Sequence, residues 1–161
     1  AGLPEGELTY GAVYQMFPFD NRVVVLGLTG ADLRKVIAAQ AHTHRRRAGF
    51  SGMRVFVSCQ RSELDVAMQF ADGRLIGDDD RVSVLANDFL ALGGDGIFTP
   101  IMPDGGFAID NYKPLARDLL VQWFRQHPGT ISPETFETLD APKWNLPETL
   151  PASCKLRSTH R

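Results

Sequence analysis

An α+β fold, a mixed β-sheet with helices packed on it, is predicted for this sequence by two observations. Strand-like runs and helix-period segments intermix without the regular spacing of βαβ units, and turn signals such as Ala71-Asp72-Gly73 sit between apolar runs as hairpins require. A length of 161 residues falls in the single-domain range and allows a sizeable core, and no internal repeat or low-complexity tract interrupts it.

The elements follow in order. Thr9 can cap a short helix running through Met16, which Pro18 ends because the residue before a proline is pushed out of the helical region. After a turn at Phe19-Asp20-Asn21, Arg22 to Leu28 is an unbroken apolar run with β-branched bias. Such a run suits a central strand covered on both faces. Thr29-Gly30 opens a second helix over Ala31 to about Ala41. Leu33, Val36, Ile37 and Gln40-Ala41 form its apolar face, with Asp32, Arg34 and Lys35 on the polar one.

His42 to Gly49 is polar and basic, a loop in which Arg45-Arg46-Arg47 is read as solvated. Met53 to Ser58 alternates as a strand does. Val66 to Phe70, Ala71-Asp72-Gly73 and Arg74-Leu75-Ile76 read as strand, tight turn and strand. Arg81 to Ala86 is a further strand, closed by a helix cap at Asn87-Asp88 that starts the short segment Phe89 to Leu92. In Gly93-Gly94-Asp95-Gly96, three glycines in four residues call for positive φ or a very close approach. Asp110-Asn111 is expected to cap a long amphipathic helix through about Gln126, closed by His127-Pro128-Gly129. Residues 1–130 are taken as the domain. Residues 131–161, rich in Pro and without periodicity, are taken as a tail that hugs its surface and frays at its end.

The composition is that of an ordinary globular chain, 43% hydrophobic and 22% charged. With 17 basic and 19 acidic side chains the formal net charge is -2, so no broad positive field supports nucleic acid as a partner. No apolar stretch approaches the length of a membrane span. Cys59 and Cys154 are too few and too far apart for a metal knuckle or a redox pair. Two buried thiols and one disulfide both remain open, the latter requiring an oxidising compartment. The sequence starts without Met, as a fragment or processed product would, so the absence of a signal peptide leaves the compartment open.

Side-chain types offer little catalytic machinery. Nucleophile-elbow, phosphate-loop, zinc-protease and Cys-x-x-Cys patterns are all absent. His42 and His44 flank Thr43 at strand spacing, but three neighbouring arginines would repel a cation. Asp78-Asp79-Asp80 lacks calcium-loop spacing and is read as a solvated carboxylate run. No catalytic residue and no metal ligand is therefore assigned. What does stand out is aromatic rings on turns, Phe19 between Pro18 and Asp20-Asn21, and Phe89 between Asp88 and the glycine loop.

At these places the sequence resembles the C-terminal domain of the 5'-nucleotidase family, which includes UDP-sugar hydrolases and ecto-5'-nucleotidases. The matching segments are Leu8-Thr9-Tyr10-Gly11 through Phe17-Pro18-Phe19-Asp20-Asn21, Leu28-Thr29-Gly30-Ala31-Asp32-Leu33, Ser51-Gly52-Met53-Arg54-Val55, and Asn87-Asp88-Phe89-Leu90-Ala91-Leu92-Gly93-Gly94-Asp95-Gly96. They occur in family order over most of Leu8 to Gln126. The resemblance implies a nucleotide- or nucleoside-binding domain whose Phe19 and Phe89 sandwich the base. Asn21 would address a base edge and Asp95 the ribose hydroxyls.

It further implies an N-terminal metallophosphoesterase domain as partner, holding two divalent metal ions and performing the hydrolysis. This chain, without the metal motifs of that domain, is expected to be inactive alone. A family segment with arginine and asparagine contacts to substrate is expected upstream of Ala1, and its absence would leave the site incomplete. The location implied is periplasmic, secreted or cell-surface. Three alternatives stay open: 2',3'-cyclic nucleotides as substrates, UDP-sugars as substrates, or an interaction or dimerisation module that has lost ligand binding. A homodimer is also left open.

Overall fold

Side-chain caps start three of the helices. Thr9 Oγ1 accepts from the Ala12 N–H at 3.2 Å to begin α1 (Tyr10–Met16), whose C-cap is Phe17, immediately before Pro18. Thr29 opens α2 (Gly30–Ala41) with a reciprocal pair. Its hydroxyl accepts from the Asp32 N–H, and the Asp32 carboxylate accepts from the Thr29 N–H, so two donors left over by the helix start are satisfied. Asn87 Oδ1 accepts from the Leu90 N–H at 2.8 Å and starts α3 (Asp88–Ala91). The computed structural model describes residues 5–43, 47–109, 113–132 and 143–156.

Among the described residues the strands form two sheets. β1 (Val23–Thr29) pairs antiparallel with β4 (Arg81–Asn87), in register from Val23 opposite Asn87 to Thr29 opposite Arg81. The second sheet has the order β5-β2-β3-β6. Its centre is the antiparallel hairpin of β2 (Met53–Gln60) and β3 (Glu63–Phe70), turned by Arg61 and Ser62, both with positive φ. Trp144–Asn145 forms β5, parallel to β2, and Lys155–Leu156 forms β6, parallel to β3. The short outer strands cover edges that a longer hairpin would expose to another chain.

α2 is the layer shared by both sheets. Leu33, Ile37, Ala38 and Ala41 pack with Val55, Val57, Leu64, Val66 and Met68 of the hairpin. Val36 packs with Val24, Leu26 and Leu28 of β1, and with Ala91 and Phe98 beyond β4. Gly30 makes this arrangement sterically feasible: a Cβ there would overlap the carbonyl oxygen of Gly77. The Gly30 and Ala31 N–H groups donate to the Asp80 and Asp78 carbonyls at 2.9 and 3.0 Å. The acidic run Asp78-Asp79-Asp80 is therefore more than a solvated stretch. Its backbone closes the start of α2, Asp78 pairs with Arg34 at 2.9 Å, and Asp80 accepts from the Gly77 N–H.

An α+β fold with a mixed sheet is found, but three of the expected elements differ. β1 is not a central strand covered on both faces. Val24, Leu26 and Leu28 point inward, whereas Val25 is 57% exposed and lies opposite Leu85, 70% exposed, on an uncovered outer face. The strand expected at Arg74-Leu75-Ile76 reduces to one bridge between Gln69 and Leu75. The Asp72 side chain accepts from the Arg74 N–H there, and Gly73 takes φ 91° to make the turn. The last helix, α4 (Ala116–Gln126), begins later than a cap at Asp110-Asn111 would place it. Lys113 precedes Pro114 and is disfavoured in helical geometry. The Pro114 carbonyl accepts from the Val23 N–H at 3.0 Å, and Leu115 bridges to Arg22, so this segment runs along β1 before the helix starts. Asp110, Asn111, His44, Arg45, Arg46 and the final residues 157–161 lie outside the described residues.

Cys59 of β2 and Cys154 form a disulfide, with Cα atoms 6.1 Å apart and a sequence separation of 95. Of the two states the sequence left open, the paired one is found. The bond ties the C-terminal segment, just before β6, to the hairpin that β6 borders.

Candidate functional site

The turn before β1 and the start of α3 meet at one end of the β1–β4 ladder, because Val23 at the beginning of one strand pairs with Asn87 at the end of the other. Two more bonds fasten them. The Arg22 N–H donates to Asp88 Oδ1 at 3.0 Å, and the Asp88 N–H donates to the Arg22 carbonyl at 2.9 Å. Asp88 Oδ1 also accepts from the Phe89 N–H at 2.9 Å. Each of the two predicted rings therefore projects from a backbone segment anchored at the same ladder end.

Both rings face solvent. Phe19 is 62% exposed and Phe89 49% exposed, and among the described residues neither pairs with another aromatic ring or with a cation. Phe89 is seated on the glycine loop, where a Cβ on Gly94 would overlap its ring. This explains one of the loop's glycines. Gly93, at φ 102°, and Gly96, at φ 66°, explain the others, since both occupy backbone regions costly for other residues.

Asp95 is exposed and itself has φ 54°, so the loop holds a non-glycine residue in left-handed geometry. Asn21 is half-buried beside β1, and its carbonyl accepts from the Ala116 N–H at 2.8 Å. Among the described residues no side chain bonds to its amide group. Phe89 and Asp95 thus share one loop unit, Phe19 and Asn21 share one turn, and the Arg22–Asp88 pairing joins the two units.

Sequence reasoning missed Arg117. It lies in the first turn of α4, is only 6% exposed, and reaches the turn that carries Phe19. Its Nη2 donates to Asp20 Oδ1 at 2.7 Å, and its Nη1 donates to the carbonyls of Phe17 and Phe19 at 3.4 and 3.5 Å. Its guanidinium also sits 4.6 Å from the centre of the Tyr14 ring. The hydrogen bond to Asp20, more than any other contact, raises the Arg117 pKa above the usual guanidinium value. A signal was present in the sequence: Arg117, Leu120, Val121 and Phe124 share helical spacing, which puts an arginine on an otherwise inward apolar face.

A cavity of about 560 Å³ opens between α2, residues 48–53 and β4, with Phe50, Ile97, Phe98 and Trp144 among its walls. Phe19, Asn21, Phe89 and Asp95 do not line it. Among the described residues no group of three or more His, Cys, Asp or Glu side chains could hold a metal ion. No helix among them is long and apolar enough to cross a membrane.

Residues 1–102 match the family described as 5'-nucleotidase, C-terminal domain. The chain belongs to this family. That match covers the Phe19 turn, the Phe89 helix start and the glycine loop, whereas α4 lies beyond it. Among characterised proteins, the chain is 32% identical over 98 residues to the cell wall protein Lmo0130 of Listeria monocytogenes, covering 57% of this chain and 12% of that protein.

Two solved structures are similar in fold. The 5'-nucleotidase precursor of Thermus thermophilus superposes with a TM-score of 0.60 at 19% identity, over 91% of this chain and 29% of its own. The NAD nucleotidase of Haemophilus influenzae gives 0.57 at 21%, over 77% and 25% respectively. The chain thus spans less than a third of each of these relatives. As a member of the family it is a nucleotidase-type accessory domain, related to hydrolases that carry their metal sites in a separate N-terminal domain.

Proposed function

We propose that this chain is the nucleoside-recognising, substrate-specificity domain of a metal-dependent phosphohydrolase acting on nucleotides. In this reading the base lies between Phe19 and Phe89. Asn21 meets a base edge through an amide that no side chain among the described residues engages, and Asp95 accepts hydrogen bonds from the ribose hydroxyls. The observation that carries the proposal is that two solvent-facing rings, 70 positions apart in sequence, stand on segments bonded to each other through Arg22 and Asp88.

The chemistry fits the residue types. Stacking on an aromatic ring contributes roughly 1–3 kcal/mol per base and accepts any base, because every base has a π-face. An exposed carboxylate can accept from two adjacent hydroxyls, and such charge-assisted bonds are stronger than neutral ones. Neither interaction cleaves a phosphoester. The hydrolytic step therefore belongs to a separate domain, with two divalent metal ions, that this one supplies with substrate.

Location is part of the proposal. A structural disulfide between Cys59 and Cys154 persists in oxidising surroundings. Together with the cell wall relative, it supports a periplasmic, secreted or cell-surface protein.

The test is a titration of the chain with adenosine and with uridine, followed through backbone amide resonances. Both nucleosides should shift the signals of Phe19, Asn21, Phe89 and Asp95. No response at those four residues up to millimolar nucleoside would remove the proposal.

A further inference from the structure

We infer that Arg117 is a positioning residue for base recognition, fixing the backbone of the Pro18–Asn21 turn and with it the direction of the Phe19 ring. The inference rests on the base-stacking reading above and adds the residue that makes stacking geometrically possible. An exposed ring on a short turn has many orientations, and binding must overcome the entropy of choosing one. Something other than the ring itself has to reduce that choice beforehand.

Arg117 is placed to do so. Among the described residues it donates to the carbonyls of Phe17 and Phe19 and to the carboxylate of Asp20, which bracket the ring-bearing residue on both sides. The planar guanidinium fork holds several acceptors in fixed relative positions, which a lysine ammonium does not. The same helix start fixes the end of the turn, through the Ala116 N–H bond to the Asn21 carbonyl at 2.8 Å. One turn of α4 thus grips both Phe19 and Asn21.

Stability alone is a poor reason for this arginine. Burying a guanidinium costs solvation, and among the described residues its Nε has no hydrogen-bond partner. An apolar side chain at the same place, beside the partly buried Leu120, Val121 and Phe124, would be buried at lower cost. What an apolar residue could not do is hold two carbonyls and a carboxylate of the turn.

The experiment is a double-mutant cycle on adenosine binding by the whole chain, using Phe19→Ala, Arg117→Gln and the combined variant, with Arg117→Lys as the conservative control. Phe19→Ala should weaken binding about tenfold or more, the loss of one stacking face. Arg117→Gln should weaken it by a similar factor, the double variant should be no weaker than Phe19→Ala alone, and Arg117→Lys should recover part of the loss. Multiplying losses in the double variant would overturn the inference, because they mean Arg117 acts independently of the ring.

Should Arg117→Gln fail to fold, Asp20→Ala takes its place, since it removes the shortest of the bonds from an exposed side chain. It is expected to weaken adenosine binding severalfold in a chain that stays folded at the assay temperature, although loss of the partner of a buried guanidinium lowers its melting temperature, and unaltered binding would overturn the inference. If Phe19→Ala itself leaves adenosine binding intact, the stacking reading fails and the inference falls with it. A full effect of Phe19→Ala beside a silent Arg117→Gln sinks the inference alone.

Discussion

The ring of Phe89 occupies the space that a side chain on Gly94 would need. Residues five positions apart are thereby locked together: the helix start that carries the ring and the loop that carries Asp95 cannot be altered separately. Gly94→Ala should push the ring off its seat and weaken nucleoside binding by as much as the stacking contribution, roughly 1–3 kcal/mol. Calorimetric titration with adenosine checks this, and wild-type affinity in the variant would show that the seat is not needed.

Gly30 faces a harder obstacle, since the atom in the way is the backbone carbonyl of Gly77 rather than a movable side chain. Gly30→Ala should destabilise the fold by about 1–3 kcal/mol or more, as overpacking does elsewhere. Each kcal/mol lowers the melting temperature of a domain this size by about 2–4 °C. A thermal melt equal to that of the parent chain would contradict the tight contact between α2 and the Asp78–Asp80 segment.

Acid sensitivity should be traceable to the start of α2. The hydrogen bond from the Thr29 hydroxyl, more than the Thr29 N–H or the nearby Lys35, lowers the Asp32 pKa despite partial burial acting the other way. A carboxyl whose pKa is lower folded than unfolded stabilises the fold above the unfolded value, about 3.9, and that contribution disappears as pH falls through the folded value. Asp32→Asn should therefore show a smaller loss of stability than the parent between pH 7 and pH 3 in urea unfolding. Thr29→Ala, which removes the cap itself, should cost about 0.5–2 kcal/mol at neutral pH. An Asp32→Asn profile parallel to that of the parent would refute the assignment.

Reduction of the Cys59–Cys154 bond releases a closure spanning 95 positions. Loops of that size restrict the unfolded chain strongly, so a reductant should lower unfolding free energy by about 2–5 kcal/mol. Urea unfolding with and without reductant measures the difference, and coincident curves would show that the C-terminal segment holds to the hairpin without it.

Local rules were readable from the sequence where the deciding groups are neighbours. Thr9, Thr29 and Asn87 announce helix starts because a short polar side chain and the N–H it satisfies lie within three residues. The Arg61-Ser62 turn was silent, since neither residue is the glycine or asparagine usually found at positive φ. β1 misled because its outward positions, Val25 and Gly27, carry no polar residue to betray an open face. The start of α4 was set by pairing with Arg22 and Val23, some 90 residues earlier, which no local window contains.

The candidate site divides along the same line. Phe19, Asn21, Phe89 and Asp95 stand in two short motifs that the family resemblance singles out, whereas Arg117 reaches the Phe19 turn through contacts 97 to 100 residues away. Likewise the disulfide partners could be counted but not paired, because pairing depends on where β6 returns to the hairpin.

The most direct measurement is the set of intermolecular nuclear Overhauser effects between the chain and bound adenosine. Base stacking between the two rings predicts contacts from the ring protons of both Phe19 and Phe89 to the same base, H2 and H8 included. Contacts from only one of the rings, or from residues elsewhere on the chain, would contradict it.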